Sequence, residues 1–239
     1  MLGVVIIFII LTLILTKAFL YRSDYFRLRA IEVNNILPEG VSAPNIKYDQ
    51  LLGFYKGKNI FKTNLKDIAY FFQEGYPDAK HVRANIVLPD KILVNIKCRW
   101  PVAVLKGDRP YLVDEEGYVL SSYYTLSPSN FPVIEGVNPR YLGRYTKKIN
   151  LNNLKLALEL LKAINRSKYI MKFGLASINA QDAASLSFSL SNGIEIRVGS
   201  ENFEERLRLL EKTLRDPRLI LNRIEYIDVR FKDVIIGPK

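Results

Sequence analysis

Few residues in this chain have the side-chain chemistry for catalysis or metal binding. There is one histidine, His81, and one cysteine, Cys98. A lone histidine leaves one candidate base and removes any site needing two His ligands. A lone cysteine rules out a disulfide within the chain. His81 opens a strand beside Lys80 and Arg83 and reads as an exposed surface residue. Cys98 falls on an inward-facing series and reads as a small buried hydrophobe, because a buried thiol without a charge partner is inert. Asp114, Glu115 and Glu116 are acidic neighbours. Paired catalytic carboxylates face each other across about 5 to 10 Å, so a solvated turn is the simpler reading. Gly53-Phe-Tyr-Lys-Gly57-Lys58-Asn59 imitates a phosphate loop. It is one residue short, follows a helix, and has Asn59 where Ser or Thr must hold magnesium. G-x-S-x-G, C-x-x-C and H-E-x-x-H are absent. The sequence therefore predicts no catalytic residues, no cofactor, no metal site and no small-molecule substrate.

The remaining functions are those of binding and anchoring. The chain has 239 residues, room for about two domains. Hydrophobic residues make up 49%, enough for real cores. The net charge of +11 suits nucleic acid, anionic lipid, cell-wall polymer or an acidic protein. Met1 to Thr16 carry no charge, and Lys17 precedes Ala18-Phe-Leu-Tyr21. Crossing roughly 30 Å of hydrocarbon takes about 20 residues. Lys17 can snorkel, so residues 1–21 read as a transmembrane helix, with Leu2, Ile10 and Leu15 in lipid and Tyr21 at the interface. A signal peptide would show a basic region before the apolar run and an A-x-A site after it. Lys17, Arg22, Arg27 and Arg29 follow the span and favour a cytoplasmic body, yet long domains translocate regardless. The side is open on these grounds, as is a longer cytoplasmic N-terminus.

Next come the elements that would hold any site. Leu28 to Val33 reads as a strand with Ile31 and Val33 on one face. Pro38, Gly40 and Pro44 mark a turn. Asn45 caps a helix carrying Tyr48, Leu51, Leu52 and Tyr55, ended by Gly53 and Gly57. Asn64 with Asp67 forms a capping box for a helix burying Leu65, Ile68, Ala69 and Phe72. Strands His81–Leu88 and Lys91–Cys98 follow, joined at Pro89-Asp90, with Val82, Ala84, Ile86 and Leu88 on one side and Ile92, Val94, Ile96 and Cys98 on one side. The order is strand, helix, helix, strand, strand. Beyond Pro101, Tyr111–Asp114 and Tyr118–Leu120 form a hairpin. Ser121–Asn130 is a polar loop, and Phe131–Gly136 is extended. Asn150 caps a helix with Leu154, Leu158 and Leu161. Strands Ala176–Asn179, Ser185–Leu190 and Ile194–Val198 precede a helix from about Asn202 to Leu214, and Ile224–Phe231 is the last strand. The fold class is α+β.

These residues carry a resemblance. FRLRAIEV, then GKNIF, Pro77, Pro89 and RWPVA, then YLVDEEGYVL, FPVIEG, LSNGIEIRVG and IEYIDVRF stand in the order found in the bacterial cell-division proteins FtsQ and DivIB. Cys98 occupies the place of that family's glutamate. The resemblance implies a POTRA domain over 24–101, an FtsQ-type β domain with an antiparallel sheet over 102–236, and a tail at 237–239. It implies a single-pass type II protein of the inner (cytoplasmic) membrane, its bulk outside the cytoplasm at the division septum. It implies a non-enzymatic divisome scaffold for septation, with FtsB-like and FtsL-like partners and no nucleic acid.

A free sheet edge can accept a partner strand by β-augmentation. The last strand, Ile224–Phe231, is the candidate edge, and it leads into the apolar trio Val234, Ile235 and Ile236, which could equally finish the core. By resemblance, Phe231 is the contact aromatic, Asp233 and Val234 continue the edge, and Arg206 pairs with a partner carboxylate. As an ordinary surface residue Arg206 would instead pair locally, with Asn202 or Glu205. The family's terminal aromatic has no counterpart, since Gly237 is followed by Pro238 and Lys239. The alternative function is a POTRA-bearing envelope protein assisting secretion or outer-membrane protein assembly.

Overall fold

A computed structural model of the chain describes residues 2–37, 48–120, 127–137 and 152–239. The turn at Pro38, Gly40 and Pro44, the caps at Asn45 and Asn150, and the polar loop as far as residue 126 lie outside the described residues. The chain divides into two units, Met1–Arg99 and Trp100–Lys239.

Unit 1 begins with α1, Leu2–Arg22, none of whose residues is buried. At 1.5 Å per residue its length is about 30 Å, the thickness of a bilayer's hydrocarbon. Thr12 and Thr16 donate their hydroxyls to the carbonyls of Phe8 and Thr12, so neither needs an outside partner. Then come β1 (Ala30–Ile36), α2 (Asp49–Tyr55), α3 (Leu65–Gly75), β2 (Ala79–Val87) and β3 (Lys91–Cys98). The sheet order is β1-β3-β2, with β3 parallel to β1 and antiparallel to β2. Ile31 lies opposite Ile92, and Val82, Ala84 and Ile86 lie opposite Ile96, Val94 and Ile92. This single apolar face packs with Tyr55, Ile68 and Phe72 of the two helices. Removing a ring such as Phe72 from that core costs about 3–5 kcal/mol.

Several expectations shift here. Gly53 sits inside α2, and Gly57, at φ +80°, is the residue that turns the chain beyond it. Asn64 caps α3 by accepting the Lys66 N–H, with no part for Asp67. Leu88 is 59% exposed, because the strand ends at Val87 and the inward phase stops with it. Cys98 is buried, and burial, then the Asp78 carboxylate, push its thiol up to about 11.

Unit 2 contains β4 (Pro101–Leu105), β5 (Tyr111–Asp114), β6 (Val133–Glu135), α4 (Asn152–Arg166), β7 (Leu175–Asn179), β8 (Ser187–Leu190), β9 (Glu195–Arg197), α5 (Phe203–Leu214), β10 (Ile224–Asp228) and β11 (Ile235–Pro238). The strands form one sheet, β11-β10-β9-β8-β7-β6-β4-β5. It is mixed: β4–β6, β6–β7 and β9–β10 pair in parallel and the rest antiparallel, so the expected antiparallel sheet is only partly so. Ile134, Ile178, Phe188, Ile196 and Ile227 share one buried cluster with Leu154, Leu161, Leu207 and Leu210 of α4 and α5. The acidic run at 114–116 is not wholly solvated. Asp114 is buried, and its Oδ1 accepts the N–H groups of Glu116 and Tyr118 at 2.9 and 2.8 Å.

Candidate functional site

The strand expected at the open edge is not the last one. β10 is paired on both sides, in parallel with β9 and antiparallel with β11. It ends at Asp228, so Phe231 lies beyond it in the bend that leads to β11. β11 takes the end position in the sheet, and Gly237 and Pro238, expected as tail, are strand. The tail is paired because Gly237 faces Tyr226 and the Lys239 N–H reaches the Arg223 carbonyl at 2.9 Å.

The ladder decides which backbone groups of β11 face outward. Val229 donates its N–H to the Arg197 carbonyl at 2.9 Å, toward β9. Backbone direction alternates along a strand, so Ile227 also faces β9 and Asp228 faces β11. Asp228 therefore bonds Ile235, whereas Ile236, opposite Ile227, turns its own N–H and C=O to the open side. Pro238 faces the same way and has no N–H to offer. Ile235 and Ile236 are 48% and 41% exposed on opposite faces of the strand. Val234, just before β11, packs against the core and completes it in part.

The bend between the strands is held by residues of the IEYIDVRF motif to which the sequence alone assigns no site role. Asp228 is buried and accepts Arg230 through the backbone N–H at 3.0 Å and the guanidinium at 2.7 to 3.1 Å. Burial raises the Asp228 carboxyl, but the bonds from Arg230 outweigh it and hold it below the usual carboxylate range. Arg230 also reaches Ser185 Oγ at 3.1 Å. Tyr226 carries the Arg197 guanidinium 3.9 Å from its ring centroid. The space a side chain at Gly237 would fill is taken by the Tyr226 ring. The Asp-x-Arg spacing at a strand end was the readable signal for the first pair. Nothing in the sequence flagged the Tyr226–Gly237 contact.

Arg206, on α5, donates from a terminal guanidinium nitrogen to the Phe231 carbonyl at 2.9 Å, rather than pairing with Asn202 or Glu205. That bond ties α5 to the bend. The Phe231 ring remains 53% exposed and Asp233 is exposed. The structure thus brings Arg206 to Phe231, and Val234, Ile235 and Ile236 follow along the edge. The anchor residues Leu2, Ile10 and Leu15 lie exposed along α1, and Tyr21 packs 6.1 Å from the Phe61 ring. Among the described residues no cluster of three metal-binding side chains occurs.

Residues 102–230 match the family model for the C-terminal region of the cell division protein FtsQ/DivIB. The chain belongs to the FtsQ/DivIB family. Similarity to curated FtsQ proteins extends beyond that region. The FtsQ of Syntrophotalea carbinolica is 26% identical over 221 residues, covering 91% of this chain and 75% of that protein. That of Geobacter sp. is 24% identical over 219 residues, covering 91% and 78%. That of Neisseria meningitidis serogroup B is 30% identical over 180 residues, covering 73% and 67%. Family membership makes this a cell-division protein, and α1 makes it a membrane-anchored one. The matched region includes β10 and ends at Arg230, in the bend that precedes β11.

Proposed function

We propose that the chain is a non-enzymatic scaffold of the divisome that captures FtsB-like and FtsL-like partners by strand addition to β11. The observation that carries this reading is the outward N–H and C=O of Ile236 on a strand that, among the described residues, is paired along one side only and is flanked by exposed apolar side chains. A partner segment gains backbone bonds there and side-chain contact with Ile235, Ile236 and Phe231. Arg206 has guanidinium donors beyond the one given to Phe231, enough to meet a partner carboxylate. In this reading residues 24–101 form a POTRA domain and 102–236 the FtsQ-type β domain, extended to Pro238 by β11. The order β1-β3-β2 with two helices on one face supports the first assignment. The bulk lies outside the cytoplasm in type II orientation, at the septum. Family membership favours this role over assistance to secretion or outer-membrane assembly.

The test is a pair of prolines. Ile236→Pro removes an outward donor and places a ring on the open side, leaving the β10 ladder whole. Ile235→Pro breaks the ladder itself. Capture of an FtsB/FtsL-like complex by the membrane-reconstituted full chain falls more than about tenfold for Ile236→Pro with unfolding unchanged. Unaltered capture would rule β11 out as the docking strand.

A further inference from the structure

One end of unit 1 is both apolar and basic, and it is the end from which α1 emerges. The last turn of α1 is clamped to the body. Asn59 Nδ2 donates to the Leu20 carbonyl at 2.8 Å, Phe19 packs edge-on against Phe26 at 5.8 Å, and Arg27 donates to the Gly57 carbonyl at 3.1 Å. The segment around Gly57–Phe61 is thus fixed beside the helix exit. The β2–β3 hairpin lies at the same end, because the Arg29 N–H reaches the Asp90 carbonyl at 2.8 Å and their side chains pair at 3.3 Å. Large apolar side chains stand exposed there, among them Tyr25 at 61%, Phe54 at 63% and Leu88 at 59%. Lys58 holds its ammonium 3.3 Å from the Phe54 ring centroid. Segments 22–29 and 54–66 carry seven Lys and Arg and a single acid, Asp24. Aromatic rings with cations among them, next to a membrane helix, have the composition of an interfacial belt.

We propose that the end of unit 1 bearing Tyr25, Phe54 and Leu88 rests in the anionic headgroup layer of the membrane that α1 enters. The short clamped exit holds these side chains within reach of the bilayer. The basic residues favour acidic phospholipid, each near the surface contributing roughly 1 kcal/mol. The opposite end of the same sheet supplies the contrast. Ile36 ends β1 and is also exposed, but it stands about 20 Å along the strand from Ala30.

The experiment uses the full chain in lipid nanodiscs. Single variants Phe54→Cys, Leu88→Cys and Ile36→Cys carry an environment-sensitive fluorophore, Cys98 being buried. The bilayers are phosphatidylcholine alone or mixed with phosphatidylglycerol, each with a headgroup-level nitroxide lipid. Labels at 54 and 88 blue-shift and are quenched in the phosphatidylglycerol discs, and the label at 36 is not. Raising the salt reverses the effect, and this arm needs no charge substitution. Lys58→Glu and Lys62→Glu each weaken the interaction by about fivefold or more. Equal quenching at 36, 54 and 88 would overturn the proposal, as would quenching at 54 and 88 indifferent to lipid charge and salt.

Discussion

The eight-stranded sheet of unit 2 ends in β5 on one side and β11 on the other, and the two ends are finished differently. Along β5, Asp114 donates its N–H to the Tyr118 carbonyl at 3.0 Å and Leu120 donates to Leu112 at 2.9 Å, with a bridge between Val113 and Val119. The hairpin folds back and covers the strand, and Leu112, Val113 and Asp114 are buried. Along β11 no described segment follows, and Ile235 and Ile236 are exposed. A free edge invites pairing with any chain, and proteins ordinarily blunt it. Among the described residues one edge is blunted and the other left open, apart from the proline at its end. On the function proposed above, that difference is what leaves β11 available to a partner.

Substitutions at each edge test that contrast. The largest effect belongs to Gly237→Val. Its side chain would overlap the Tyr226 ring, a strain of about 1–3 kcal/mol that lifts β11 from β10. Amide exchange at 235–239 accelerates and partner capture is lost. Asp228→Asn follows, at about 1–3 kcal/mol, by weakening the charge-assisted bonds that hold the bend. The folded carboxyl lies below its unfolded value, so its stabilisation is present above the unfolded pKa. It is lost as pH falls through the folded one. Unfolding of the wild type in acid, from about pH 4 down, therefore shows a loss that Asp228→Asn lacks. On the covered side, Gly117→Ala forces a side chain at φ +82° and costs about 1–2 kcal/mol. Loosening the hairpin exposes β5, and self-association rising with concentration in light scattering reports it. Arg206→Met keeps the apolar stem but drops the bond to Phe231, about 0.5–1 kcal/mol, seen as faster exchange in 231–235 with a small shift in urea unfolding.

Much of this architecture is written in periodicity. Ile92, Val94, Ile96 and Cys98 alternate over a whole strand, and Leu207, Leu210 and Leu214 recur on one helix face, so burial follows pattern directly. β11 escapes such reading. It has four residues, two of them Gly and Pro, and its Ile pair exposes both faces. Its Gly237 sits against the Tyr226 ring opposite, a fact of pairing rather than of sequence. Periodicity alone therefore places the edge one strand too early. Leu88 departs in the opposite way: the alternation runs in the sequence one residue past the point where the hairpin starts. Arg206 and Phe231 were singled out by resemblance, but that they bind each other depends on how α5 meets the bend.

The bond from Asn59 to the carbonyl of Leu20 reaches further than its 2.8 Å. With Phe19 and Tyr21 seated on Phe26 and Phe61, the span has no swivel where it leaves the lipid. A twist of the span about its long axis would be passed through these contacts to the first unit. Neighbouring helices in the bilayer, by gripping one side of the span, would thereby set the compass bearing of that unit.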